Sequence, residues 1–78
     1  MPTAIILPEL GAGDVPIRVS AWLVDEGESV ELGESVVEVL IPGITYDVAA
    51  PADGILEHIE KQIGAEIAPG DVLGWLEP

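Results

Sequence analysis

The feature that most constrains this chain is an internal repeat with an offset of thirty-seven residues. Six positions of the first half recur in the second half, with glycines six apart and an aliphatic residue midway between them. The matched pairs are Trp22 with Ile59, Gly27 with Gly64, Val30 with Ile67, Gly33 with Gly70, Val36 with Leu73, and Val39 with Leu76. The repeat predicts two equivalent half-sheets related by a pseudo-twofold axis, because neither half could bury its apolar side alone.

The spacing of glycine and proline favours strands over helices, because the apolar runs between them are short. The predicted strands are Ala4–Leu7, Ile17–Val24, Ser35–Ile41, Ile44–Ala49, Gly54–Ile59 and Val72–Leu76. A helix over Ile55–Ile67 is the alternative, since this stretch holds helix formers and isoleucines four apart. Gly54 and Gly64 bracket that stretch closely. The stretch also repeats a part of the first half that has strand character, which favours a strand.

Length and composition fit one small all-β domain spanning residues 1–78. The chain is 49% apolar, with no Phe and only two Trp, so its core must consist mainly of branched aliphatic side chains. Such side chains favour strands, and many short strands between turn signals are typical of a sandwich or barrel. In the two repeated segments bounded by glycines, Gly27–Gly33 and Gly64–Gly70, the midway residues Val30 and Ile67 are expected to point inward. The glycines permit turns.

Charge limits the classes of partner. Fifteen acidic residues give a net charge of −13, which repels nucleic acids and anionic membranes. This charge is compatible with a basic protein partner, but a role in solubility alone explains it equally simply. The chain has no cysteine, which excludes disulfides, thiolate metal sites and cysteine nucleophiles. No signal peptide or membrane-spanning stretch is recognisable, so a cytoplasmic location is the default expectation.

Several segments together resemble a known family. They are Leu7–Gly11, Trp22–Val24, Glu26–Val30, Leu32–Glu34, Ala50–Leu56 and Pro69–Leu73 with Gly64 before them. In this order they resemble the lipoyl domains of the acyltransferase component of 2-oxo acid dehydrogenase complexes and, more distantly, biotin carrier domains. The resemblance implies a flattened barrel, or barrel-sandwich hybrid, of two four-stranded antiparallel sheets with adjacent termini. The start at Met1 resembles the N-terminus of an acyltransferase chain, so we expect the first domain of a longer protein.

The family's functional residue is a lysine, preceded by Asp, at the tip of a tight hairpin. Counting along Glu38–Pro51 from either end places Gly43 at the lysine's position and Pro42 at that of the Asp. No amide-linked lipoyl or biotinyl arm can form on glycine, so no cofactor is expected. Pro-Gly is the favoured centre of a type II turn, so the hairpin itself is predicted to persist. Its expected pairs are Ile41 with Ile44, Val39 with Tyr46, Val37 with Val48, and Glu38 with Asp47.

The predicted hairpin tip is apolar where the family has a polar one. Leu40, Ile41 and Ile44 are expected to be exposed there and are candidates for partner binding. Scattered exposed aliphatic residues are also common without any function.

No other group of residues predicts a catalytic or metal site. Lys61, the only lysine, is expected near the end of a strand. No serine lies at a sequence spacing that would link it to His58 as a nucleophile. The acidic stretch Asp25–Glu34 lacks the spacing of an EF-hand loop, and Leu10–Gly13 precedes no helix that would bind phosphate. The family's acyltransferase active site lies in a separate, larger domain.

Three functions remain open at this point. The first is a non-catalytic interaction or spacer domain, monomeric in isolation, which binds protein components of a 2-oxo acid dehydrogenase complex. The second is an acyl-carrier domain of a dihydrolipoamide acyltransferase loaded elsewhere, for which Lys61 is the discriminating residue. The third is a barrel module of a membrane-fusion adaptor, which predicts a split motif and an export signal that the sequence lacks.

Overall fold

A computed structural model describes all residues, 1–78. The chain forms two four-stranded antiparallel sheets. The strands are β1 (Thr3–Ile6), β2 (Ile17–Trp22), β3 (Ser29–Val30), β4 (Ser35–Ile41), β5 (Ile44–Ala49), β6 (Gly54–Ile59), β7 (Glu66–Ile67) and β8 (Val72–Glu77). One sheet has the order β1-β8-β6-β3 and the other β5-β4-β2-β7. The all-β prediction is confirmed, and the alternative helix does not form. No helix is present that is long and apolar enough to cross a membrane.

The predicted strands are correct apart from their ends and two omissions. The first strand begins and ends one residue earlier than expected, β2 stops at Trp22 rather than Val24, and β8 continues to Glu77. The two-residue strands β3 and β7 were not predicted, because two residues are too few to show any periodicity. Their second residues, Val30 and Ile67, are buried as expected.

The pseudo-twofold symmetry predicted from the repeat extends to the smallest details. A shift of thirty-seven residues relates β2 to β6, β3 to β7 and β4 to β8, and β1 occupies beside β8 the place that β5 occupies beside β4. The register shift between Val19 and Ala21 in β2 recurs between Leu56 and His58 in β6. Gly27 and Gly64 have φ angles of 94° and 90°, so both turns use the same left-handed backbone conformation.

Hydrogen bonds between the two halves also repeat. The Gly27 amide donates to the Leu56 carbonyl at 2.7 Å, and the Gly64 amide donates to the Val19 carbonyl at 2.8 Å. Each glycine turn is therefore tied to a strand of the opposite half. The adjacent termini implied by the resemblance follow from the β1–β8 ladder, where Thr3 pairs with Leu76.

The core between the sheets is entirely apolar. Sixteen buried residues form one cluster, and no polar or charged residue is buried. Trp22 is partly buried against the core, and its Nε1 donates to the Lys61 carbonyl at 2.8 Å. A Cβ on Gly74 would stand 2.9 Å from the His58 carbonyl oxygen and 3.0 Å from the Trp22 ring. Gly74 thus provides the space that Trp22 occupies across the interface between the sheets.

The β4–β5 hairpin has the predicted register. Ile41 pairs with Ile44, Val39 with Tyr46, Val37 with Val48 and Glu38 with Asp47, with a two-residue turn between them. Gly43 has a φ of 88°, whereas no residue other than glycine has a positive φ. A positive φ confined to the second turn position is the signature of a type II turn, which is the turn predicted for Pro42-Gly43.

The outer face of the sheet β1-β8-β6-β3 holds two carboxyl groups in contact. Glu57 lies at the register shift of β6, and a hydrogen bond between its side chain and that of Glu77 on β8 raises the pKa of Glu57. Repulsion from the Glu77 charge and slight burial raise this pKa further, while His58 lowers it. The contact is therefore most favourable when one of the two carboxyls is protonated.

Replacing Gly43 tests the type II turn. Gly43→Val places a β-branched residue at positive φ, so we expect a loss of about 1 kcal/mol or more in the free energy of unfolding. Urea denaturation measures it. Thr45→Val is the matched control in the same hairpin, with an extended backbone, and should change stability by less than about 0.5 kcal/mol. Equal effects of the two substitutions would remove the type II turn as the cause.

Replacing Glu77 tests the carboxyl contact. Because the pKa of Glu57 is raised on folding, the folded state holds its proton more tightly. The stabilising effect of this proton is complete below the ordinary glutamate pKa and is lost as pH rises through the raised value. Glu77→Gln removes the repulsion, so its melting temperature should exceed that of the parent at pH 7, and this difference should vanish at about pH 3.5.

Glu31→Gln is the control for this substitution, because it removes one negative charge from an exposed side chain that makes no hydrogen bond or salt bridge, and the Glu31 backbone amide keeps its bond to Glu34. A gain in melting temperature at pH 7 that is equal in both variants would show a general charge effect instead.

Candidate functional site at the hairpin tip

The tip of the β4–β5 hairpin is chemically simple. Pro42 and Gly43 form the turn between Ile41 and Ile44, so the turn presents a ring and a bare Cα to solvent. None of these groups is a nucleophile, an acid, a base or a metal ligand. Only binding through apolar contact and backbone hydrogen bonds is available at this position.

Apolar side chains flank the turn, as predicted, with one correction. Leu40 is 45% exposed and Ile44 is 62% exposed, but Ile41 is only 8% exposed and belongs to the core. The expectation that Ile41 is exposed is therefore wrong. Side chains alternate between the faces of a strand, and Ile41 shares the inner face with Val37 and Val39, whereas Leu40 points outward. The predicted pairing already contained this information.

A shallow hollow of about 180 Å³ lies beside the turn on the outer face of the sheet. It is lined by Pro16, Arg18, Leu40, Pro42 and Gly43. The Arg18 guanidinium donates to the Gly64 carbonyl at 3.2 Å and to Glu66 at 3.4 Å, so this cation is already engaged. The hollow can receive an apolar side chain from outside, and its wall contains no free charge.

The only lysine lies outside the hairpin. Lys61 follows β6, as predicted, and its carbonyl accepts the Trp22 indole hydrogen bond described above. The structure gives its side chain no ion-pair partner, since the salt bridges involve only Arg18 and His58 among basic residues.

His58 lies in an exposed acidic setting. Its Nδ1 is 3.7 Å from Glu26 and its Nε2 is 3.8 Å from Glu60, while its side chain is 57% exposed. No Ser or Thr hydroxyl is among its partners: the Ser20 hydroxyl donates instead to Glu38 at 3.0 Å. His58 thus has two carboxylates nearby but no nucleophile to activate.

Most of the acidic stretch serves the backbone of the turns. Glu28 accepts from the Asp25 amide at 2.7 Å, and Glu34 accepts from the Glu31 amide at 3.0 Å. Glu26 accepts from the Ile59 amide at 2.8 Å. Glu28 and Glu34 thus satisfy turn amides, and Glu26 satisfies an amide at the end of β6. No group of three or more His, Asp or Glu residues is placed to hold a metal ion.

The Leu10–Gly13 segment connects β1 to β2 without any helix. Its Gly11 amide donates to the Glu9 carboxylate at 2.9 Å, so a carboxylate already occupies this amide. Leu10 and Ala12 pack against the core. The segment is therefore a connecting loop held in place by local contacts.

Comparison with protein families matches residues 3–76 to the family described as "Biotin-requiring enzyme". The dihydrolipoyllysine-residue succinyltransferase component of the 2-oxoglutarate dehydrogenase complex of Rickettsia felis is 34% identical over 95% of this chain and 18% of its own length. The dihydrolipoyllysine-residue acetyltransferase component of the acetoin cleaving system of Bacillus subtilis is 30% identical over 97% of this chain and 19% of its own. The chain thus spans about a fifth of the length of these relatives.

A solved structure agrees with the sequence comparisons. The solution structure of the lipoyl domain of the 2-oxoglutarate dehydrogenase complex from Azotobacter vinelandii superposes with a TM-score of 0.68 at 29% identity. The match covers 92% of this chain and 87% of that domain. With its two symmetric sheets and its match over residues 3–76, the chain belongs to the biotin and lipoyl domain family, as a lipoyl-like domain related to the acyltransferase components of 2-oxo acid dehydrogenase complexes.

Proposed function

We propose that this chain is a lipoyl-like domain without a lipoyl arm, which acts by binding protein partners and catalyses no reaction by itself. The observation that carries this proposal is the Pro42-Gly43 turn at the tip of the β4–β5 hairpin. Gly43 takes the place that the family resemblance assigns to the modified lysine, and a glycine offers no amine to acylate. The hairpin keeps its register around this turn, which supports retention of the binding surface without the arm.

The proposed contact surface, here called the apolar tip, consists of Leu40, Pro42 and Ile44. Leu40 and Ile44 expose about half of their side chains on either side of the turn, and the hollow beside Leu40 accepts an apolar group. Burying such side chains favours association by about 25 cal/mol per Å² of apolar surface removed from water. We propose that the partners are components of a 2-oxo acid dehydrogenase complex, on the basis of the relatives named above. The cytoplasmic location stays a prediction, which cell fractionation checks.

The intact mass of the protein tests the absence of an arm. After co-expression with lipoate and biotin ligases and supply of both cofactors, we expect the unmodified mass, because the tip has no amine. A mass increased by one lipoyl or biotinyl group would overturn the proposal in favour of a carrier domain. Lys61→Arg would then show whether Lys61 is the loaded residue.

A restored variant is the positive control for this experiment. Pro42→Asp combined with Gly43→Lys rebuilds the family's Asp-Lys pair at the tip, and we expect the ligase to load it. If this variant keeps its circular dichroism spectrum but stays unmodified, the equivalence of Gly43 to the lysine position is wrong.

Replacing the exposed aliphatic residues tests the apolar tip. Leu40→Ser combined with Ile44→Ser should reduce capture of purified 2-oxo acid dehydrogenase components about tenfold or more, because both side chains lose their buried contact. Leu32→Ser combined with Ile63→Ser is the matched control, since both side chains are 67% exposed and lie outside the hairpin. Capture that is unchanged in the tip variant, or lost equally in both, contradicts a role for the tip.

A further inference from the structure

Strand β5 is a sheet edge without the short length, proline or lysine that protects many edges against pairing. It forms hydrogen bonds with β4 on one side only, and it is the outermost strand of its sheet. It spans six residues and contains neither Pro nor Lys. The other three edges are guarded: β3 and β7 have two residues each, and the four-residue β1 lies between Pro2 and Pro8. Natural proteins usually shorten, charge with Lys or interrupt such edges.

The hairpin register determines which backbone groups of β5 are free. In a two-residue hairpin the residues that close the turn form a hydrogen-bonded pair, so Ile44, Tyr46 and Val48 direct their amides toward β4. The amides and carbonyls of Thr45 and Asp47 then point away from the sheet. No backbone hydrogen bond from a turn or loop reaches these two residues.

The side chains of β5 form two different rows. Ile44 and Tyr46 share the inner face with Ile41 and Val39, but 62% and 41% of their surfaces remain exposed. The opposite sheet therefore does not cover this margin of the inner face. Each of the two apolar side chains leaves room for another apolar side chain on a neighbouring strand.

The outer row of β5 is acidic and strained by like charge. Asp47 lies directly opposite Glu38 on β4, a pairing of like charges that destabilises the ladder. A cation on the free side of Asp47 would offset this repulsion. The net charge of −13 acts in the same direction, since it attracts basic segments and opposes pairing with a second copy of the chain.

We propose that β5 accepts an extended, basic segment of a partner protein as an additional antiparallel strand. The segment alternates basic residues, which lie beside Thr45 and Asp47 on the outer face, with aliphatic residues, which lie beside Ile44 and Tyr46 on the inner face. Backbone hydrogen bonds from the free groups of Thr45 and Asp47 hold the strand, and side-chain alternation gives specificity. This inference rests on the proposed function as a binding domain and specifies the chemistry of the partner.

A synthetic peptide of about eight residues that alternates lysine and valine is the probe, because it covers the six residues of β5. In the proposed antiparallel pairing, the lysine amides face β5 and the valine amides face solvent. N-methylation of the lysine amides should therefore weaken binding about tenfold or more, whereas N-methylation of the valine amides should leave it unchanged. Asp47→Asn should weaken binding about two- to fivefold.

Amide hydrogen exchange measured by NMR locates the bound peptide. We expect slower exchange at Thr45 and Asp47 in the complex, with no change at Tyr46 and Val48, whose amides already face β4. Binding without this protection, or equal loss from both methylated peptides, would mean simple charge attraction and would overturn the inference. Absence of binding at low salt, or a dimer in sedimentation experiments without peptide, would overturn it as well.

The outcomes separate this inference from the proposed function. If the peptide binds with the expected protection but no dehydrogenase component is captured, strand addition of a basic segment is supported. The assignment of the partner to a 2-oxo acid dehydrogenase complex is then wrong. If components are captured through Leu40 and Ile44 while the peptide results are negative, the binding function stands and strand addition at β5 fails.

Discussion

The fold depends on an exchange of backbone hydrogen bonds between its two halves. The glycine turn of the first half donates to Leu56, and the turn of the second half donates to Val19. Each turn also accepts a hydrogen bond from the same strand. The Leu56 amide donates to the Glu28 carbonyl, and the Val19 amide donates to the Ala65 carbonyl. Both turns require glycine at positive φ, so Gly27 and Gly64 maintain the contacts that join the two halves of the chain. Folding of either half without the other would leave these groups unpaired and the apolar faces in water.

Much of this architecture follows from the sequence because the repeat makes each structural prediction apply to two equivalent segments. Val30 and Ile67 are each weak signals alone, but their equivalence predicts one inward position in both halves, as found. The register of the β4–β5 hairpin was also predictable, since Pro42-Gly43 allows only a short turn between two alternating strands. The prediction that Ile41 is exposed was wrong because it rested on the apolar character of the residue and ignored its position in the hairpin register. Inner-face membership with Val39 decides its burial.

Other features depend on tertiary geometry that no local pattern reveals. The contact between Glu57 and Glu77 arises at the register shift of β6, which displaces the strand by a residue relative to regular alternation. Trp22 finds its place over Gly74 in the opposite sheet, which requires knowing how the two sheets face each other. Within the candidate site, the turn and the exposure of Leu40 and Ile44 were predicted, whereas the free backbone of β5 required the complete strand order.

The pseudo-twofold axis relates the Pro42-Gly43 turn to the place where the two chain ends meet. The axis carries the β4–β5 ladder onto the β8–β1 ladder, and only the first of these is closed by a turn. A circular permutant that opens at Gly43 and joins Pro78 to Met1 through a short loop would therefore have the same strand neighbours. Connectivity and architecture are therefore separable in this domain.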